Sequence, residues 1–546
     1  MMLKEALKQF WGDRRAVVVL ILGTMAWSAT MVKSGIEYGF GLGFWGANGH
    51  DGVWHLAIIN SLARGSIEMP VFAGEALQNY HIGFDLAAAL INRISGISTL
   101  TLYFQIIPVV LASFTGLATY TFVYLWKKSR SAAVWSMFFV YFGGGFGWRE
   151  SMYWSQQSIS SLINPPFAMS LLVLLLGLIL ILRIKQKSNW ILIAAAIVLF
   201  GSIVQIKAYA GILAIVGLGF AGLYEYLNRK KKDVLIVCGG AFVVALVLLV
   251  PALKESGSFF EFKPFWFLET MMQFSDRLNF PRFAEAMVNY KTGGIYYKAI
   301  PAYILTFLIF WYGNMGTRFL AELQAARILI RRKLMDAIYI FMILTILAGV
   351  IVPLLFVQKG TAWNTIQFFY YSLFFAGIMA GIFVGEHVKK GLWKLVIIIL
   401  TVPTAVATLF NHYLPGRPPA MLPKGEMVAL RALEKEPNGV VLTYPYDGTD
   451  KGEPPVPLYL YESTAYVSAF SSKPVFLEDQ VNLDITGYDW RGRREEVMQY
   501  FANPSEEFLK NNNISYVYLT GRNRHAKVAG VEALYVSEDT VVYRVK

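Results

Sequence analysis

Apolar runs long enough to cross a bilayer alternate with short basic segments along the first three quarters of the chain. A spanning helix needs about 20 mostly apolar residues. Runs approaching that length lie near 16–32, 101–126, 132–147, 167–183, 189–205, 208–226, 234–253, 300–313, 337–357, 366–385 and 392–410, the one near 300 being short. They predict a membrane all-α bundle of about eleven transmembrane helices, the first an uncleaved span. Past residue 410 the pattern changes. GVVLTYPY (439–446) and ISYVYLTG (514–521) read as strands, RREEVMQYFAN and PSEEFLKNNN as helices, and LYVSEDTVVYRVK as a closing hairpin. The chain therefore divides into a membrane domain, 1–410, and a small C-terminal α/β soluble domain, 411–546.

Basic clusters orient the bundle. KKSR (127–130), RIKQK (183–187), NRKKK (228–232), RILIRRK (327–333) and Lys389 with Lys390 fall on one side if 82–97 does not cross, and that side is cytoplasmic. The N-terminus is then cytoplasmic. Four loops, 33–100, 143–166, 254–299 and 358–367, together with the C-terminal domain, are extracytoplasmic. The formal charge of +13 resides in these topogenic flanks, since the residues from Asn411 onward hold 15 Lys+Arg against 18 Asp+Glu. It therefore says little about partners; membrane lipids are expected from the spans, and no nucleic acid.

Composition agrees: 56% of residues are hydrophobic and only 16% charged, far from the globular average. The single cysteine, Cys238, lies in an apolar run, which excludes a disulfide framework and a cysteine-built zinc site. The tail carries no Gly-rich phosphate loop, no GxSxG elbow and no Cys/His metal pattern.

Chemistry concentrates in the first loop. Within 32 residues it holds three of the six histidines, His50, His55 and His81, with Asp51, Glu68 and Glu75 among them and Asp85 just beyond. Val53, Trp54, Ala57, Ile58 and Leu62 recur at helical spacing and predict an interfacial helix with Asp51 in its first turn and His55 one turn on. FDLAAALINRISG predicts a second such helix. Asp51 has two readings here, a helix N-cap or a functional acid.

A multi-span chain whose first outer loop carries an Asp at the head of one juxtamembrane helix, then a second such helix, and which ends in a soluble domain resembles the glycosyltransferase C superfamily of polyprenyl-phosphate-sugar-dependent enzymes. GHDGVWHLAIINSLARG with QNYHIGFDLAAALINRISG carries the resemblance. GGGFGW…INPPFAMSLL, KGTAWNTIQFFYYSLFFAGI and YVSAFSSKPVFLEDQVNLDITGYDWRGRREEV extend it over nearly the whole chain, and resemble prokaryotic members. One departure stands out: Gly52 and Val53 follow Asp51 where many members keep a second acid.

The resemblance implies an inverting, single-displacement transfer of a sugar from a polyprenyl-phosphate donor to a glycan, lipid or protein acceptor outside the cytoplasmic membrane of a prokaryote. Asp51 is then the base. Lys207 and Lys359 are candidates for the donor phosphate, although a lysine at a span's end also snorkels to the interface. Gln367 and Tyr370, on one helical face with Trp363, are candidates for sugar or phosphate, as are His50, His55 and His81. Arg149 and Glu150, framed by Trp148, Tyr153 and Trp154, complete the binding candidates with Gln156 and Asn164. Belt aromatics are the structural alternative for these. Glu150 and Asp276 are candidates for a second acid. His50, Asp51 and His55 have donors that suit a divalent metal ion, with His81 joining only if the second helix folds back. The rival class is a transporter or flippase of a lipid-linked sugar or other solute, but no internal repeat of the transporter kind is visible.

Overall fold

The computed structural model describes residues 2–250, 260–330, 335–449 and 452–546. Residues 251–253 of the predicted run 234–253, 254–259 of the third loop and 331–333 of the fourth basic cluster lie outside the described residues. The chain is 67% helical and forms two compact units. One contains Met1–Ser28 and the described residues from Val109 to Asn411; the other contains Ala29–Pro108 and His412–Lys546.

A helix stands at each predicted apolar run. Among the described residues, seven helices are long and apolar enough to cross a membrane: Thr99–Lys127, Pro165–Gln186, Ala208–Arg229, Tyr296–Ile330, Ala337–Leu355, Ala362–His387 and Gly391–Tyr413. The other four are shorter. Arg14–Ser28 has 15 residues, Arg130–Phe142 has 13, and Trp190–Ile206 and Asp233–Leu249 have 17 each. Seventeen residues rise about 26 Å, a little under the hydrocarbon thickness. The run near 300 is longer than its hydropathy predicts. Its helix holds from Tyr296 to Met315 and ends at Gly316, whose φ of +51 is left-handed. There the buried Arg318 closes the helix, its guanidinium donating to the carbonyls of Asn314 at 2.6 Å and Met315 at 3.1 Å.

Close approach of two helices organises the first unit. The helix Gln367–His387 presents Gly377, Gly381 and Gly385 at intervals of four, and small residues on one helical stripe let backbones approach. They meet Arg130–Phe142, where a Cβ on Gly381 would lie 2.2 Å from the Ser136 nitrogen and one on Gly385 would lie 2.4 Å from the Ala132 Cα. Ser136 Oγ donates to the Ile378 carbonyl at 2.9 Å. In a largely apolar setting the association rests on such packing, because apolar side chains alone do not favour one another over lipid.

The second unit carries two sheets. Strands β1 (Glu37–Tyr38), β2 (Gly41–Phe44), β5 (Ala420–Pro423) and β7 (Val456–Pro457) form one in the order β1-β2-β5-β7. The strands β3 (Phe260–Phe262) and β4 (Phe356–Gln358) pair separately in the first unit. Thus the first loop and the tail share a sheet, with Gly41 opposite Pro423. Gly41 has φ +129, and a Cβ there would strike the Leu422 carbonyl oxygen, so only glycine fits. The second sheet has the order β6-β8-β10-β9, with β6 (Val440–Thr443) parallel to β8 (Ile514–Thr520) and β10 (Thr540–Val545) antiparallel to both β8 and β9 (Val531–Val536). Its core is Leu442, Val497, Leu509, Val517, Leu519 and Val541, drawn from the strands and helices that alternation predicts. The helix opening at PSEE begins at Glu506, with Ser505 accepting from the Phe508 N–H.

Gly381→Ala is expected to destabilise the first unit by about 1–3 kcal/mol, the usual cost of overpacking. Gly239→Ala, where a Cβ meets nothing within 4 Å, leaves stability unchanged or higher. Thermal melts of the two variants in one detergent check the contrast.

Candidate functional site

The helix Asp51–Ala63 is buried on nearly every side: Val53, Trp54, Ala57, Ile58 and Leu62 are all in the core. The predicted interfacial helix with a wet face is instead packed all round within the protein. Its N-cap is His50, which makes no side-chain capping bond, and Asp51 opens the first turn. Asp51 is therefore not the cap, which removes the first of its two readings. Its carboxylate accepts from His50 Nδ1 at 2.9 Å and stays 44% exposed, whereas the His50 side chain is 11% exposed.

On the other edge of the imidazole lies Asp479. His50 Nε2 stands 3.6 Å from Asp479 Oδ1, an ion-pair distance beyond hydrogen-bond range, and the Asp479 side chain is fully buried. Asp479 has φ +46, a left-handed conformation that Asp tolerates. It also caps the helix Gln480–Thr486, accepting from Asn482 N at 3.1 Å and Asn482 Nδ2 at 2.8 Å. Burial by itself lowers the His50 pKa, but Asp479 and Asp51 outweigh it and hold the ring well above the usual imidazole range. His50 is thus a cation braced between two carboxylates, one exposed and one buried.

A third acid feels the same field. Burial raises the Glu462 carboxyl, His50 opposes the shift, and Asp51 and Asp479 add to it. Glu462, Asp479 and Gln480 line a cleft whose other walls include Tyr446, Tyr459 and Tyr466. The cleft encloses about 40 Å³, room for a water molecule and not for a sugar ring.

The remaining first-loop candidates have other tasks. His55 is buried, its Nδ1 2.7 Å from Asp85 Oδ1 and its ring stacked on Tyr103. It ties the helix Asp51–Ala63 to the helix Gly83–Ser95. His81 is half-buried, with its ring 4.8 Å from that of Tyr80. Among the described residues no group of three or more His, Cys, Asp or Glu side chains is arranged to hold a metal ion. His50 has both nitrogens against carboxylates and His55 has Nδ1 against Asp85, so neither ring is arranged with Asp51 as a ligand set for a divalent ion.

Gly52 explains the missing second acid. A Cβ at this position would come 2.7 Å from the Phe104 ring and 3.4 Å from that of Tyr103, so no side chain fits. The second carboxylate beside His50 comes from the tail, as Asp479. Its local signal is the acidic pair Glu478-Asp479 in an otherwise apolar PVFLEDQV. Glu478 is spent structurally, accepting from Val467 N and Ser468 N.

In the first unit, Lys207 forms the break between the helices Trp190–Ile206 and Ala208–Arg229. It is buried, with Nζ 3.4 Å from Asn164 Oδ1. Tyr209 next to it donates to Gln358 Oε1 at 2.7 Å. Tyr370 lies in the electrostatic range of both Tyr209 and Arg277. Arg277, which sequence reasoning missed, stacks on Trp154 at 4.2 Å and pairs with Asp276 at 2.8 Å. Glu150 accepts from Gln157 N at 3.0 Å, and burial raises its carboxyl against that bond and those from Thr408 and Ser160. Arg149 and Lys359 are exposed, and Gln367 Nε2 donates to Asn364 Oδ1 at 3.3 Å.

No known protein-family model matches the chain, and no curated protein does. Solved structures do. The oligosaccharyltransferase of Archaeoglobus fulgidus, in complex with Zn and sulfate, aligns with a TM-score of 0.52 at 13% identity, over 92% of this chain and 68% of its own. The arabinofuranosyltransferase AftD from Mycobacteria aligns with a TM-score of 0.51 at 12% identity, over 98% of this chain and 40% of its own. The likeness is one of fold: over nearly its whole length the chain shares the fold of these two enzymes.

Because the folded His50 titrates above its unfolded value of about 6.5, its charge stabilises the protein fully below that pH and the contribution fades as pH rises through the folded pKa. Melts from about pH 5.5 to about pH 9 are expected to show wild type exceeding His50→Gln most at the acid end. Asp479→Asn shifts the loss to lower pH.

Proposed function

We propose that this chain is a membrane glycosyltransferase that takes a sugar from a polyprenyl-phosphate donor and transfers it to an extracytoplasmic acceptor by inverting single displacement, with Asp51 as base. The observation that carries the reading is the exposed Asp51 carboxylate held by a buried His50 cation that Asp479 braces from behind.

In such a transfer the acceptor oxygen attacks the anomeric carbon, its proton passes to Asp51, and the bond from that carbon to the phosphate oxygen breaks with the electron pair leaving on phosphate. A carboxylate suits the base because it is ionised at neutral pH and takes the proton only as the acceptor oxygen loses electron density. The imidazolium N–H fixes the orientation of Asp51 Oδ1. His50 itself has both nitrogens directed at carboxylates, which suits a positioning role and not that of base.

The leaving phosphate calls for cationic stabilisation. Lys207 is buried beside Asn164, and Arg277 shares Tyr370 as a neighbour with Tyr209, so both have the chemistry for it. Lys359, Gln367 and Tyr370 remain binding candidates of the same kind.

Asp51→Asn is expected to lower transfer by about 10²–10⁴-fold, the usual worth of a positioned base, while the protein stays inserted and folded. The assay is incubation of purified protein with labelled polyprenyl-phosphate sugars and a pool of acceptors. Undiminished transfer by the variant would overturn the assignment, and movement of the labelled lipid across a vesicle bilayer without a new glycosidic bond would identify a flippase instead.

A further inference from the structure

A polar cavity of the second unit, lined by Arg64, Lys473 and Phe470, takes no part in the proposed transfer. It encloses about 630 Å³, within the range of small-molecule sites. It opens at the far end of the helix Asp51–Ala63, whose C-cap is Arg64. Thirteen residues of helix separate Arg64 from Asp51, about 20 Å along the axis.

The charges on its wall are uneven in how they are met. Glu434 accepts from Ser472 Oγ at 3.0 Å, Glu436 pairs with Arg544, and Arg431 pairs with Glu37 at 3.4 Å. Arg64 has no such partner among the described residues; Glu434 and Glu68 act on it only through space. Lys473 is buried and donates to the Glu436 carbonyl at 2.7 Å, which uses one of its three N–H groups. Burial lowers the Lys473 pKa first, and the positive field of Arg64 lowers it further against Glu436 and Glu434. Two cations therefore repel each other across one cavity, and an anion between them relieves both. The floor adds Leu56, Met427 and Phe470, an apolar surface for the C–H face of a ring, and Asn438 adds an amide.

We propose that this cavity binds an anionic sugar residue, its carboxylate or phosphate held by Arg64 and Lys473 and its ring set on Phe470. Placing that residue on the acceptor rests on the glycosyltransferase reading; the site itself does not. An extended acceptor anchored here contributes binding energy several residues from the reacting hydroxyl, energy that serves to orient it.

The test is calorimetric titration of the purified full-length protein with trigalacturonate, mannose 6-phosphate and maltotriose. At least one anionic probe is expected to bind about tenfold or more tighter than maltotriose, the worth of a charge-assisted hydrogen bond, and the tighter of the two tells carboxylate from phosphate. Arg64→Gln, at an exposed position that tolerates the change, removes the preference, and Arg64→Lys keeps part of it. Equal binding of maltotriose, an unchanged preference in Arg64→Gln, or no binding of any probe would overturn the proposal. Asp51→Asn binds the probes as wild type, so failure of the transfer reading and failure of this site are told apart.

Discussion

A histidine cation inside a protein survives only where fixed negative charge repays its lost hydration. His50 has that charge on both edges of its ring, Asp51 from the first loop and Asp479 from the tail, and the arrangement requires the two segments to fold as one unit. The backbone meets the requirement separately. Strand β2 of the loop pairs with β5 of the tail, the contact at Gly41 being too close for any side chain. Loop and tail are thus held by main-chain hydrogen bonds, and the ion-pair chain is set on that frame.

Each unit solves its own solvation problem by a different route. In the first, apolar surface is everywhere and confers little selectivity, so the helices are matched by small residues, Gly381 and Gly385 against Ser136 and Ala132, and by side chains that close polar ends, as Arg318 does for Asn314 and Met315. In the second, buried acids and bases are paired with one another or with backbone N–H groups. His55 with Asp85 and Glu478 with the N–H groups of Val467 and Ser468 are such pairs. The carboxylate that remains substantially exposed beside His50 is Asp51, and exposure is what separates a group able to meet a substrate from one that only supports the fold.

Much of the fold was legible along the chain. Helices appear at every predicted apolar run, and the tail's strands, helices and closing hairpin lie where alternation and turn residues put them, because these signals are local. Four helices came out shorter than a full span and the one near 300 longer, since a helix ends where a cap or a left-handed glycine such as Gly316 ends it and hydropathy does not record that. The candidate site was legible in part. Asp51 with His50 stood out as a titratable pair in an apolar chain, but His55, equally prominent, is a buried tie between two helices.

By itself the sequence determined the apolar runs, the strands and helices of the tail and the cluster around Asp51, all of which follow from the order of residues over one or two dozen positions. Tertiary structure alone decided which acid partners His50, why Gly52 cannot carry one, and that Arg64 and Lys473 share a cavity. These depend on residues up to several hundred positions apart, brought together by strand pairing and by the volume of neighbours such as Phe104. Spacing along a chain carries no trace of contacts at that range, and so the second carboxylate was invisible until the fold placed it.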